Sequence, residues 1–288
     1  MKAAFILLFA FFLLVAPVTS CKKESKKADP PQDSLPTLKG CLMLSDTRSV
    51  FGKQEITEYN YDEKGSLTQI NFYLQPGKTL IEKKELRYNT EGLLNEYTWT
   101  TSRSDFGNSS RFLIKLYYNK GSKNAAFADF YDLEGKPSPI LLRKFTMLRT
   151  DDNVLQKIIE ETPLTVSDIE FTYNFEYNAA GNVSRIIIAP SGDHTPFRYE
   201  FGDYDTKSKS AANIPEAMFL NLPITNVLAW ATALSKNNPG FVDALEANYT
   251  GEMTYEYNDK GYPTSRKDSV TTPTRNYTEN HVFGYKCK

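Results

Sequence analysis

Apolar and polar residues alternate along most of this chain. Ile169, Phe171, Tyr173, Phe175 and Tyr177 share one face, and Glu170, Thr172, Asn174, Glu176 and Asn178 share the other. Met253, Tyr255 and Tyr257 oppose Glu252, Thr254 and Glu256 in the same way. A period of two sustained over such lengths predicts strands with one wet side. Between the strands a phrase recurs: Tyr-x-Tyr, then Asp or Asn, two further residues and Gly. It occurs complete at Tyr59–Gly65 and Tyr255–Gly261, with Leu or Phe replacing the first Tyr at Leu86–Gly92 and Phe175–Gly181. Shortened forms stand at Tyr131–Gly135 and Tyr118–Gly121. The Asp or Asn side chain accepts from its own downstream N–H groups, and Gly takes the position with positive φ, so the phrase predicts a hairpin turn. Further turns are expected at Ser104–Asn108, Asp151–Asn153 and Pro190–His194. About a dozen strands follow one another, which predicts a mostly β fold: one curved antiparallel meander, open or nearly closed into a barrel.

The period changes once. Asn226 is placed to cap a helix over Val227–Lys236, with Asn237-Asn238-Pro239-Gly240 as its stop. Pro215 is placed to open a shorter helix over Glu216–Leu220, so the helical insert runs over about residues 210–238. The longer helix is apolar nearly all round and therefore has to be buried. A sheet with one aromatic face needs a cover. Trp230 is therefore expected in the concavity of the curled sheet, against Tyr or Phe rings.

Composition agrees with this picture and narrows the function. Phe and Tyr number 18 each in 288 residues, as in β-rich chains. Lys and Arg total 34 against 35 Asp and Glu, so nothing supplies the basic stripe that nucleic acid requires. Met1-Lys2 precedes the apolar run Ala3–Ala16, too short to cross a bilayer as a helix and of the length of a secretory signal. The next residues, Val18-Thr19-Ser20-Cys21, resemble the bacterial lipobox. That resemblance implies a signal peptide over residues 1–20 and acylation of Cys21, hence a membrane partner through a lipid anchor. Lys22–Thr37 carries four Lys and three Pro with no apolar periodicity and is expected to be a disordered tether, ahead of a single β domain over residues 38–288. Its Cys-Lys-Lys-Glu start is similar to the export signals of Bacteroidota surface lipoproteins.

With Cys21 acylated, Cys41 and Cys287 remain near the two ends of the β domain. They form either a disulfide joining the termini or two buried thiols. The hairpin phrase resembles the YD repeats of Rhs-type proteins, although its glycine spacing is irregular: 27 residues from Gly65 to Gly92 and 46 from Gly135 to Gly181. The whole chain is similar to Bacteroidota envelope lipoproteins of unknown function, with Tyr204-Asp205-Thr206-Lys207, Leu234–Pro239 and Tyr255–Pro263 carrying the likeness. The resemblance implies the outer membrane or cell surface, or its periplasmic face, and supplies no catalytic residues.

Candidate chemistry is sparse. His194 and His281 lack neighbours at metal-ligand spacing, and Asp203-x-Asp205 is only a fragment of a calcium loop. Glu160 and Glu161 point to opposite faces of a strand and cannot act as a pair. No nucleophile elbow or phosphate loop is present. These observations point to no catalytic residues, no metal and no cofactor. Tyr97, Trp99, Tyr117 and Tyr118 lie on strands rich in Thr and Ser, the composition of a stacking surface for sugar rings or of an aromatic core. The expected function is therefore a non-catalytic envelope lipoprotein that binds a ligand, with a glycan or a protein as candidates. Its alternative is a carrier that holds an apolar molecule between helix and sheet.

Overall fold

The computed structural model describes residues 40–102, 110–135, 137–163, 170–209, 218–222 and 226–287. Residues 1–37, with the expected signal peptide, Cys21 and the expected tether, lie outside these residues, and residues 38–288 form a compact unit by themselves. The strands, in order, are β1 (Cys41–Val50), β2 (Lys53–Tyr61), β3 (Leu67–Leu74), β4 (Thr79–Tyr88), β5 (Leu94–Thr101), β6 (Arg111–Tyr118), β7 (Ala125–Asp132) and β8 (Ile140–Arg149). Then come β9 (Leu155–Glu161), β10 (Glu170–Tyr177), β11 (Val183–Pro190), β12 (Phe197–Gly202), β13 (Phe241–Ala244), β14 (Tyr249–Tyr257), β15 (Pro263–Thr271) and β16 (Asn276–Cys287). Each pairs antiparallel with its sequence neighbours, and β1 pairs with β16, so the meander closes into a barrel. Closure leaves no sheet edge.

Every strand alternates between the barrel's interior and its outside. On β10, Tyr173 and Phe175 are buried inside while Glu170 and Glu176 are exposed. On β14, Thr250, Glu252, Thr254 and Glu256 face out. The hairpin phrase makes the turns at one end of the barrel. Asp62 Oδ1 accepts from the N–H groups of Lys64 and Ser66 at 2.9 and 2.8 Å, and Asn89, Asn178 and Asn258 repeat the arrangement. Gly65 closes the turn at φ 84°, a region an L side chain rarely adopts.

The second Tyr of the phrase does something the spacing does not show. The register slips at Tyr61, Tyr88, Tyr118, Tyr177 and Tyr257, a β-bulge that re-aims each ring. The Tyr88 hydroxyl then donates to the Leu67 carbonyl at 2.8 Å, Tyr118 to Leu94 at 2.7 Å and Tyr177 to Leu155 at 2.8 Å. Tyr204 donates likewise to Val183 at 2.6 Å. Each acceptor is the first residue of the return strand in an earlier hairpin, so each hairpin straps one behind it. On β8 the corresponding residue is Arg149. Its Nη1 donates to its own turn at Asn153, and its buried Nε has no partner among the described residues.

The β12–β13 connection carries the helical insert. Helix α1 spans Val227–Leu234, with Asn226 Oδ1 accepting from Ala229 N–H at 3.0 Å. It ends before the expected Lys236 because the Ser235 side chain is taken by the barrel. Ser235 Oγ accepts from Val183 N–H at 2.9 Å and donates to the Tyr204 hydroxyl at 3.1 Å. Where a second helix was expected, the described part is a single 3-10 turn, Phe219–Asn221. Trp230 is 1% exposed and stacks on Phe175, with centroids 5.7 Å apart and rings 12° from parallel. Cys41 and Cys287 are joined in a disulfide across the β1–β16 seam.

Candidate ligand-binding cavity

Helix α1 divides the interior unequally. On one side the barrel is filled: Tyr97, Phe112, Phe130, Phe145, Ile158 and Trp230 are all at most 2% exposed. Trp99, Phe112 and Phe130 pack at centroid separations of 5.0–6.5 Å. The backbone of the insert is fixed there by side chains from the wall. The Tyr97 hydroxyl donates to the carbonyls of Phe219 and Leu222 at 2.9 and 3.2 Å, and Lys84 Nζ donates to the Leu220 carbonyl. Burial lowers the Lys84 ammonium to about 8.

On the other side of α1 lies a cavity of about 490 Å³. The helix contributes Leu228, Ala229, Thr232 and Ala233 to its lining, and β1–β4 with β14–β16 supply the wall. The apolar part of that wall includes Ile70, Phe72, Val270 and Phe283.

Much of the remaining wall is ionic. Arg48 on β1 grips Glu279 on β16 with two hydrogen bonds of 2.8 Å, from Nε and Nη2, and its Nη1 reaches Glu55 on β2 at 3.3 Å. Burial raises the Glu279 carboxyl, but the bonds from Arg48 win and hold it below the usual carboxylate range. On β15, Arg266 Nε donates to Asp268 at 2.8 Å and Nη2 donates to His281 Nε2 at 2.8 Å. A guanidinium cannot accept, so Nε2 of His281 is unprotonated and Nδ1–H donates to Asp46 at 2.9 Å. That geometry fixes a neutral imidazole 6% exposed to solvent. Asp268, Glu279 and His281 bring ligand atoms within 4.8 Å of one another, as a metal site would. Arg48 and Arg266 occupy those atoms instead, so the cluster is a network of ion pairs.

The residues singled out in the sequence are scattered. Tyr97 and Trp99 are interior, at 0% and 5% exposure, and Trp99 Nε1 donates to Glu82 at 2.9 Å. Tyr118 points inward as a strap, and Tyr117 alone of the four stands outside, 42% exposed. The four therefore share no surface on which a sugar could stack. Both Asp205 oxygens are taken: Oδ1 accepts from Lys207 and Asn238 N–H, Oδ2 from Asn238 Nδ2 and the Tyr257 hydroxyl. Glu160 is 1% exposed, held by Arg143 and Tyr173 at 2.5 Å each, and Glu161 is exposed on the other face. His194 is exposed, whereas His281 belongs to the ionic wall.

That wall is the feature the sequence reading missed. Its signal was present: Asp46 and Arg48, Arg266 and Asp268, Glu279 and His281 are spaced by two, in phase with inward Val270 and Phe283.

No family model matches the chain, and no curated protein matches it significantly. Solved structures do. The chain shares the fold of a porin-like protein from Bacteroides uniformis. The TM-score is 0.54 at 15% identity, covering 85% of this chain and 96% of that one. A porin-like protein from Bacteroides vulgatus superposes with TM-score 0.50 at 8% identity, covering 85% and 98%. At such identities the likeness is one of fold.

Proposed function

We propose that this chain is a non-catalytic lipoprotein of a Bacteroidota cell envelope whose barrel takes a small ligand into the cavity beside α1. The carrying observation is the cavity itself: about 490 Å³ inside a closed barrel whose other half is packed tight. Small-molecule sites are concave, with apolar walls and a few placed polar groups. The lining has both parts, so the reading replaces a wholly apolar cargo with an amphiphilic one. The wall's carboxylates are engaged by Arg48, Arg266 and His281, which suits recognition better than proton transfer.

The anchor in this reading is acylated Cys21, with residues 22–37 as tether and the outer membrane or cell surface as location. The outward residues of β14 and β15 favour a tethered barrel over an inserted one. A transmembrane barrel shows lipid an apolar band. Here the outward residues of β14 are Thr250, Glu252, Thr254 and Glu256, and those of β15 include Lys267 and Ser269.

Two measurements test the proposal. Mass spectrometry of the membrane-extracted protein is expected to find an acylated Cys21 as first residue; an unmodified Cys21 removes the anchor. Protein purified without added ligand, then denatured, is expected to release a stoichiometric small molecule that an Ala229→Phe variant lacks. Release of the same molecule by both proteins overturns the cavity as the binding site.

A further inference from the structure

Resting on the cavity reading above, we infer that the guest is an aldehyde or ketone on an apolar body, held by a reversible covalent bond to Lys84. Three cationic side chains line the cavity, those of Arg48, Lys84 and Arg266. Both guanidinium groups are spent on carboxylates, and a guanidinium does not deprotonate in a protein. Lys84 differs in partner and in place. On β4 it stands between Ile70 on β3, which lines the cavity, and Trp99 on β5, which belongs to the packed half. It is 9% exposed, and its Nζ lies 5.5–5.9 Å from the ring centres of Phe72, Tyr97 and Trp99. That Nζ donates to the Leu220 carbonyl, and Leu220 and Phe72 both line the cavity. The amine therefore sits at the cavity's margin, among apolar groups.

Such a place suits a nucleophile. Burial outweighs the attraction of Glu82 and holds the Lys84 ammonium at about 8, below its ordinary value. At pH 7.4 about a fifth of such amines are unprotonated, against about a thousandth at an ordinary lysine. A lysine desolvated in an apolar pocket forms imines with carbonyl compounds. Its nitrogen adds to the carbonyl carbon as the C=O π pair moves to oxygen. That oxygen leaves as water with both amine protons, and a C=N bond remains; nothing is oxidised or reduced. Leu228, Ala229, Ile70 and Phe72 offer a wall for the apolar body. Lys209 supplies the contrast. Burial lowers it to about 8 as well, and it donates to the Ala233 carbonyl, but it lies outside the cavity lining. Basicity alone would make the two lysines equal, and the cavity makes them differ.

The test uses residues 38–288, which contain every strand of the closed barrel. Octanal is added at pH 7.4 with cyanoborohydride, which reduces an imine to a stable amine, and the adducts are mapped by peptide mass spectrometry. Octanol, which has the same tail and no carbonyl, is titrated separately by calorimetry. Lys84 is expected to be labelled at least about tenfold faster than any other lysine, Lys209 included. Excess octanol is expected to slow that labelling, and Ala229→Phe, checked by circular dichroism, to abolish it by filling the cavity. Labelling of Lys209 or of exposed lysines as fast as Lys84 overturns the inference. Octanol binding without a Lys84 adduct overturns the covalent bond and leaves the cavity reading standing. Absence of both the adduct and octanol binding overturns both. Undiminished labelling of Lys84 in a folded Ala229→Phe protein places the reaction outside the cavity and overturns the inference.

Discussion

The two halves of the barrel interior are built from the same strands by the same rule, yet they are filled differently. From β5 to β11 the buried positions are mostly apolar, with Glu160 the charged exception, and they pack in one cluster with Trp230. From β14 through β16 and β1 to β3, charged residues interrupt the inward face, and α1 stops short of them. Packing in the first half holds the insert; the unfilled second half leaves room for chemistry. Neighbouring residues of α1 sit on the two sides of this division. Trp230 and Ala231 face the packed half, at 1% and 0% exposure, whereas Ala229 lines the cavity.

The largest effect is expected where that division is sharpest. Trp230→Ala removes a ring stacked on Phe175 and should cost about 3–5 kcal/mol in urea denaturation. Ala231→Leu overpacks the same half and should cost about 1–3 kcal/mol. Ala229→Leu, two residues away, adds the same atoms into open space and should be neutral or stabilising. Equal costs for the two Leu variants would mean that the halves do not differ in packing.

The same contrast explains what could be seen in the sequence. Strands, turns and the burial of Trp230 were legible because each follows from a local pattern: alternation, an Asx turn closed by Gly, an all-apolar helix. Closure was only half legible, since pairing of β1 with β16 joins residues such as Cys41 and Cys287 from opposite ends of the chain. The Tyr straps were hidden for a similar reason. Tyr88 and Tyr118 reach carbonyls 21 and 24 residues back, and a carbonyl leaves no mark in a sequence. The ionic wall was overlooked because a charged residue within a strand is ordinarily outward-facing. Their phase with Val270 and Phe283 puts Arg266, Asp268, Glu279 and His281 on the apolar side, and the β15–β16 register brings them together.

Titration singles out a charge buried where the packed rings meet the cavity. Lys84 lies among the rings of Phe72, Tyr97 and Trp99, and burial lowers it to about 8 from an ordinary value of about 10.4. Between those values the unfolded chain binds more protons than the folded one, so stability rises with pH. Lys209, whose ammonium donates to the Ala233 carbonyl, is also lowered to about 8 by burial and acts in the same direction. Tyrosines work the other way. Burial pushes Tyr61, Tyr177 and Tyr204 up to about 12, so their contribution is lost as pH climbs past about 10. Denaturant midpoints should therefore increase from pH 8, peak near about 10 and then fall. Lys84 accounts for about 2 kcal/mol of the rise, and Lys84→Met should remove that part. A profile of Lys84→Met identical to that of the parent chain would show that its ammonium is not buried at a cost.

The smallest effects belong to the outside of the barrel, and they calibrate the rest. Arg87–Glu96 on the outer face pairs the same groups as Arg48–Glu279 inside, at 3.2 Å against 2.8 Å. The Arg87 side chain is 76% exposed, and water competes for each partner. The Glu279 side chain is 13% exposed, and its two bonds are fixed by β1 and β16. Glu279→Gln keeps one acceptor for Arg48 and loses the charge, at a cost of about 1.5 kcal/mol. Glu96→Gln should change stability by no more than about 0.5 kcal/mol, and less at high salt. The inner value would also shrink if water reached the wall freely, because solvent would then screen Arg48 as it screens Arg87. Equal costs for the two variants, in matched denaturation curves, would therefore show that the cavity behaves as open surface and does not enclose its charges.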